Sequence, residues 1–299
     1  MTKPPTTPIL CIGEVLWDSL PRGLFLGGAP FNVACHLRML GETVHMASRI
    51  GDDELGRQIL RRLAQKGLSP DDIQIDPQHP TGMVNVTLAQ KDQPSYEIVA
   101  PSAWDFIEAD QALRRKAAEA RVLVFGSLAQ RSERSRGTLE TLRRIVPLNV
   151  FDINLRPPFI DRGVIAASLA DAHLVKLNDQ ELGQLSEWFG LGSRLRPAVT
   201  ALAERFQCAT VCVTRGAEGA LLWHGGEWFE QPGIAVEVKD AVGAGDAFLA
   251  GLIHTLLAGK NGAAMLRFAN ALGAYVASQD GATPSLNLAE IERLKSTEN

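Results

Sequence analysis

Residues 240–248 read Asp240-Ala241-Val242-Gly243-Ala244-Gly245-Asp246-Ala247-Phe248. A strand-like run at 234–238 leads into them, and a helical pattern over 246–257 leads out. Strand, small-residue turn and helix in that order belong to an α/β fold. Two glycines and an alanine let the backbone of the turn approach a ligand closely. The N–H groups of the helix's first turn, with the positive end of the dipole behind them, then make an anion site. Asp246 is the odd member, because a carboxylate repels a bound anion unless it has a task there. One such task is to take the proton from a hydroxyl that attacks phosphorus. Two other readings stay open here. Asp246 could simply cap the helix. Alternatively, Gly243-x-Gly245 could open the dinucleotide fingerprint of an NAD-dependent oxidoreductase, although Phe248 then stands where the third glycine belongs.

On the N-terminal side of this stretch, short apolar runs alternate with longer helical patterns. Strands are predicted at 9–12, 44–49, 122–125, 150–152, 174–176 and 210–213. Helices are predicted at 32–40, closed by Gly41, at 55–65, closed by Gly67, and at 109–119, 132–144, 198–205 and 262–278. This rhythm predicts an α/β fold with a doubly wound, mostly parallel sheet. One region breaks it. Residues 81–89 and 95–99 alternate around Lys91, Asp92, Gln93 and Pro94, a hairpin pattern, and 20–26, with Pro21 and Gly23, adds a short extended piece. A small antiparallel β-sheet, formed by about 17–27 and 80–101, is expected beside the carboxyl edge of the main sheet, as a lid over an active site or, more plainly, as a surface β-flap. Residues 1–299 are expected to form one domain.

Composition narrows the function. The 299 residues carry 30 Lys and Arg against 34 Asp and Glu, a net charge of −4. With a pI near 5.9, the chain is not a nucleic-acid binder that works through a basic excess. At 45% hydrophobic and 21% charged residues, it is not a disordered chain either. The apolar run near the N-terminus is broken by Gly13 and Glu14, too short for a secretory segment or a membrane span, and a cytoplasmic protein is expected. Cys11, Cys35, Cys208 and Cys212 sit among apolar neighbours without a C-x-x-C pair, which fits a reducing compartment. Cys35 and His36 are adjacent, so on a helix they point apart rather than forming a thiol–imidazole pair. No Walker A, H-E-x-x-H or G-x-S-x-G motif is present.

A second cluster, Gly27-Gly28-Ala29-Pro30-Phe31-Asn32, precedes the first long helix and follows Asp18. Glycines that admit a ligand, an amide with donor and acceptor, and a carboxylate suit a polyhydroxylated substrate. A tight turn with a helix cap is the plainer reading of the same residues.

Together the two clusters resemble the signatures of the ribokinase-like sugar kinases, the PfkB family. Residues 27–34, followed by Gly41 and Gly51, match the first signature. Asp240 through Asp246, followed by Ala250-Gly251, match the second, with Ala241 where the family more often has Thr, Ser, Val or Pro. The resemblance implies the ribokinase-like fold, with the β lid over the sugar site. It implies Asp246 as the catalytic base and the backbone of Gly243, Ala244, Gly245 and Asp246 as an anion hole. Asp18, Gly27, Gly28 and Asn32 would hold the sugar. Asp152-Ile153-Asn154-Leu155-Arg156 is similar to the D-x-N-x-R segment of fructokinase-like members, with Arg156 toward substrate or phosphate. Asn178-x-x-Glu181 is similar to the motif that organises Mg²⁺ and phosphates through water, although alone it reads as a helix cap followed by a surface Glu. Thr214 and Gly216 would lie at the ATP phosphates and Asn270 beside adenine, or Asn270 is simply a polar residue in an Ala-rich helix. Asp240, Val242, Gly281 and Ser285 match positions around a monovalent cation, K⁺ in this setting.

The implied activity is transfer of the γ-phosphoryl of ATP to a sugar hydroxyl. Gly13-Glu14-Val15-Leu16-Trp17-Asp18, 27–32 and 152–159 look most like fructokinase members of the family, a resemblance that implies fructose ahead of another hexose, ketodeoxygluconate, ribose or a nucleoside. A non-catalytic sugar or nucleotide sensor on the same fold stays open. The implied partners are a small sugar, no nucleic acid and no membrane, with a homodimer through the lid compatible with the family.

Overall fold

The computed structural model describes residues 7–20, 23–89 and 93–296. Residues 1–6, Pro21, Lys91 and Asp92, which entered the sequence argument, lie outside the described residues. The chain opens with strands β1 (Ile9–Ile12), β2 (Leu16–Leu20) and β3 (Gly23–Gly27), helix α1 (Ala29–Met39), β4 (Val44–Gly51) and α2 (Glu54–Gln65). Strands β5 (Ile73–Asp76), β6 (Gly82–Ala89) and β7 (Gln93–Ile98) follow. Then come α3 (Gln111–Glu119), β8 (Val122–Gly126), α4 (Glu133–Arg143), β9 (Leu148–Asp152), α5 (Arg162–Ala170) and β10 (Leu174–Asn178). Helices α6 (Asp179–Phe189) and α7 (Leu195–Phe206) lead to β11 (Thr210–Thr214), β12 (Ala220–His224) and β13 (Glu227–Gln231). Helices α8 (Ala244–Leu257), α9 (Gly262–Ala277) and α10 (Leu288–Lys295) close the order.

The main sheet runs β13-β12-β11-β10-β9-β8-β1-β4-β5, parallel from β11 to β5 and antiparallel at β12 and β13. Its central strands are unbroken apolar runs because both faces are covered. Alternate side chains go to opposite faces. Leu10, Ile12, Leu123, Phe125 and Val175 pack with Leu113 of α3, Leu139 of α4, Ile165 of α5, Leu182 of α6 and Val199 of α7. Ile9, Cys11, Val122, Val124 and Leu174 pack with Phe31 of α1, Ile59 of α2, Leu249 of α8 and Met265 of α9. The doubly wound arrangement is therefore present, with two cores sharing one sheet.

The alternation at 234–238 predicts a strand, but that segment is irregular. Ile234 and Val236 pack instead against the cluster formed by α8, α9 and α10. Their spacing serves an extended segment laid on helices, not a paired strand. The sheet gains its edge from the β12–β13 hairpin, which the sequence argument passed over.

A second sheet has the order β3-β2-β6-β7. Its two hairpins are antiparallel, but the seam between β2 and β6 is parallel. Both seam strands follow parallel strands that leave the main sheet at the same edge, so they start in the same direction. Gln93 and Pro94, expected in the turn, pair with Ala89 and Leu88 inside the hairpin. Trp17 Nε1 donates to Leu55 O at 3.2 Å and ties this sheet to α2.

All four cysteines are buried and free. Burial pushes the Cys35 thiol up to about 12, which leaves it unreactive. Among the described residues, no helix is long and apolar enough to cross a membrane.

Candidate active site

The site lies at the carboxyl ends of β1, β9 and β10, where α/β sheets hold their ligands. Two helix N-termini meet there, those of α1 and α8, and neither has a side-chain cap. Glycine forms both N-caps for steric reasons. Gly28 has φ +114°, and a Cβ on it would lie 2.3 Å from Glu14 O. Gly243 has φ +79°, and a Cβ on it would lie 2.6 Å from Ala282 O.

Asp246 stands in the first turn of α8 but does not cap it, so the capping alternative fails. Its Oδ2 accepts from Asn32 Nδ2, on α1, at 2.8 Å. This bond joins the two glycine clusters across the whole chain. Burial pushes the Asp246 carboxyl up to about 7 and Asp152 adds to the rise, while Lys176, Asn32 and Arg156 oppose it. A carboxylate poised near neutrality is suited to accept a proton.

The residues expected to hold a sugar gather around it. Burial raises Asp18, on β2, to about 6 against the pull of Arg156. A Cβ on Gly27 would sit 2.5 Å from Asp18 Oδ2, so glycine there leaves room for the carboxylate. Glu14, 2% exposed, is raised to about 7 by burial. Its own backbone N–H, Arg156 and the Ala29 N–H of α1 oppose that rise, and Asp246 adds to it. Glu14 Oε2 and Asn32 Oδ1 are buried acceptors without a protein partner. Arg156 is exposed and donates to Leu155 O at 3.0 Å.

The residues expected on a nucleotide side are a mixed group. Asn178 and Thr214 are direct neighbours in the β10–β11 register, at the same sheet edge as Asp152. Asn178 caps α6 and Glu181 answers it, a reciprocal capping box. Glu181 is 6% exposed, not the surface Glu of the plainer reading. Its Oε1 accepts from Leu155 N at 2.9 Å and its Oε2 from Asn178 N at 2.8 Å. Each oxygen keeps a lone pair, enough to accept from a metal-bound water. Thr214 Oγ1 donates to Leu177 O at 3.4 Å, and Gly216, at φ +56°, opens the turn that follows. Asn270 donates to Pro232 O at 3.0 Å and Gln231 O at 3.4 Å, so its amide nitrogen anchors the end of β13.

The 240–243 turn and the 281–285 loop lie against each other at Gly243 and Ala282. Asp240 Oδ1 accepts from Val242 N at 3.0 Å, Gly281 has φ +76°, and Ser285 O accepts from Tyr275 Oη at 2.8 Å. His36 Nε2 donates to Ala282 O at 2.9 Å, and Lys66 Nζ donates to Thr283 O. Among the described residues, no group of three or more His, Cys, Asp or Glu could hold a metal ion, so a cation here would rest on main-chain carbonyls.

One residue of the site escaped the sequence argument. Lys176 sits in the middle of β10, 7% exposed, with its Nζ 3.0 and 3.2 Å from the two oxygens of Asp152. A lysine inside an otherwise apolar buried strand was the available signal, since such a charge persists only when paired.

A model of the pfkB carbohydrate kinase family matches residues 22–289. A fructokinase of Escherichia coli is 32% identical over 260 residues, covering 82% of this chain and 83% of that protein. The structure of a fructokinase with bound ATP from Xylella fastidiosa is similar with a TM-score of 0.84 and 25% identity, over 97% of this chain and 98% of that one. A fructokinase double mutant from Vibrio cholerae O395, in a form with fructose, ADP and potassium ion bound, gives 0.84 and 25% over 99% and 100% of the two chains.

Proposed function

The chain belongs to the pfkB family of carbohydrate kinases, and from that premise we propose that it phosphorylates fructose with ATP, using Asp246 as the base. The observation that carries this reading is the Asp246 carboxylate, held 2.8 Å from Asn32 in the first turn of an uncapped helix. Asp246 accepts the proton of a sugar hydroxyl as that oxygen bonds to the γ-phosphorus and the bond to the ADP oxygen breaks. The amides of Gly243, Ala244, Gly245 and Asp246 stabilise charge on the phosphoryl oxygens as they move. Asp18, Asn32 Oδ1 and Glu14 Oε2 offer acceptors to sugar hydroxyls, with Gly27 and Gly28 admitting the ring. Arg156, opposite three carboxylates, supplies positive charge toward the phosphates.

Asn178, Glu181, Thr214 and Gly216 lie on the nucleotide side. Mg²⁺, when bound through water to Glu181, would neutralise phosphate charge. A K⁺ site would use carbonyls of Asp240, Val242, Gly281 and Ser285. The second sheet acts as the lid that excludes water from ATP. Fructose is favoured by the likeness to proteins named fructokinase, one of them with fructose, ADP and potassium bound. The free, buried cysteines and the proposed use of ATP support a cytoplasmic setting.

The test is ADP release with Mg-ATP and K⁺ across fructose, glucose, mannose, ribose, tagatose, ketodeoxygluconate and adenosine. Fructose is expected to turn over best, and Asp246→Ala to lose about 10²–10⁴-fold in kcat with little change in sugar KM. Turnover with another sugar alone moves the specificity and keeps the mechanism. No turnover with any of them, despite sugar or ATP binding, favours a sensor. Near-normal kcat in Asp246→Ala removes Asp246 as the base.

A further inference from the structure

Lys176 carries a buried ammonium, 7% exposed, in the middle of β10. It is paired across the β9–β10 register with Asp152. Its Nζ also lies directly beneath the first turn of α8, because a Cβ built on Gly245 would come within 3.3 Å of it. Gly245 has no left-handed backbone to explain it. A side chain there would press on the ammonium and ask it to give by a few tenths of an ångström. The two halves of the site therefore come close at this nitrogen, with the sheet edge below and the helix turn bearing Asp246 above.

We propose that Lys176 is a positioning residue of the phosphoryl-transfer centre: its buried ammonium, seated against the α8 turn, holds the Asp246 carboxylate ionised and in place, with Gly245 carrying no side chain to press on it. This rests on Asp246 being the base for its functional meaning, but not for its test. The charges around Asp246 make the role necessary. Facing it are Asp152 from β9, Glu14 from the exit of β1 and, as cations, Lys176 from β10 and Arg156 from the segment after β9. Asn32 from α1 is its neutral donor. Glu181 of α6 faces Lys176, and Cys212 of β11, its thiol pushed up to about 12 by burial, is neutral. The carboxylates outnumber the cations, and Arg156 is exposed, so Lys176 is the one cation of this set screened from water. Burial works against its charge, but Asp152, Asp246 and Glu181 together hold it above the ordinary lysine range. An ammonium so held is a fixed countercharge, which needs no reorganisation when a proton arrives at Asp246.

The experiment follows the ¹³C carboxyl signal of Asp246 against pH, assigned as the aspartate signal absent in Asp246→Asn. It needs no substrate, so it stands apart from the sugar assay. In Lys176→Met the titration midpoint is expected to rise by roughly 1 unit or more, and the acid limb of kcat/KM to move with it. Lys176→Met leaves Asp152 buried without its cation and could fail to fold. Asp152→Asn and the double variant Asp152→Asn/Lys176→Met answer that case, since both leave a neutral residue at 152. The midpoint is expected to be lower in Asp152→Asn than in the wild type, and to rise again in the double variant. Equal midpoints in Asp152→Asn and the double variant would overturn the proposal. So would a kcat/KM lowered evenly at all pH values with the acid limb unmoved, since that is what a brace between strands would produce.

Discussion

At the scale of single residues, the site is a contest between burial and charge, and its outcome is a pH dependence. Asp246 has an ordinary value of 3.8 and stands at about 7 in the folded protein. As the proposed base it must be ionised, so kcat/KM is expected to fall as pH drops below about 7, which a pH–rate profile checks. Asn32 donates to the ionised form, so Asn32→Ala is expected to move that limb to higher pH and to raise the sugar KM. The same shift is linked to stability. Between the two values the folded state holds the proton more tightly than the unfolded chain, so Asp246 costs stability increasingly as pH rises through that interval. Asp246→Asn removes this cost. Its melting temperature relative to the wild type is expected to climb from pH 4 to pH 7 and then level off, by at least about 2 °C. A difference that shrinks with rising pH contradicts the assignment.

At the scale of elements, two helices begin with glycine because backbone crowds the position where a side chain would be. Gly28 combines φ +114° with Glu14 O at 2.3 Å from the missing Cβ, while Gly41 has φ +88° and open space. Gly41→Ala is expected to cost about 1–2 kcal/mol, the ordinary penalty of a left-handed alanine. Gly28→Ala must in addition push α1 away from the exit of β1. It is expected to cost clearly more and to lower activity, with urea unfolding and kcat as the measurements. Equal losses in the two variants would mean that the contact with Glu14 relaxes freely.

At the scale of the whole molecule, the second sheet presents β3 as an edge strand, with Leu24 45% and Phe25 37% exposed. An apolar edge of this kind is a surface for another chain. A homodimer through the lid is the arrangement proposed for it. Sedimentation is expected to give a dimer that Leu24→Asp with Phe25→Asp converts to a monomer, and a wild type that is monomeric at tens of micromolar rules the arrangement out.

The α/β class, the hairpins of the second sheet, and the two glycine turns with Asn32 and Asp246 beside them are legible in the chain because each is a local pattern. Strand alternation, a glycine at a helix start and a carboxylate beside it all involve residues close together in sequence. The family signatures place the two glycine clusters in the same site, but not the bond between them. Other features have no local trace. The irregular course of 234–238 was decided by packing on α8, α9 and α10. The parallel seam between β2 and β6 was decided by where their preceding strands end. The burial of Glu181 was decided by the N–H of Leu155, and the anchoring of Asn270 by the carbonyls at the end of β13. Lys176 is the clearest case. Its neighbours in sequence are apolar, and its partners come from β9 and α8. Its charge acquires meaning only when the sheet edge and the helix turn close over it, because the strength and sign of a buried interaction depend on which groups share the space and on the exclusion of water.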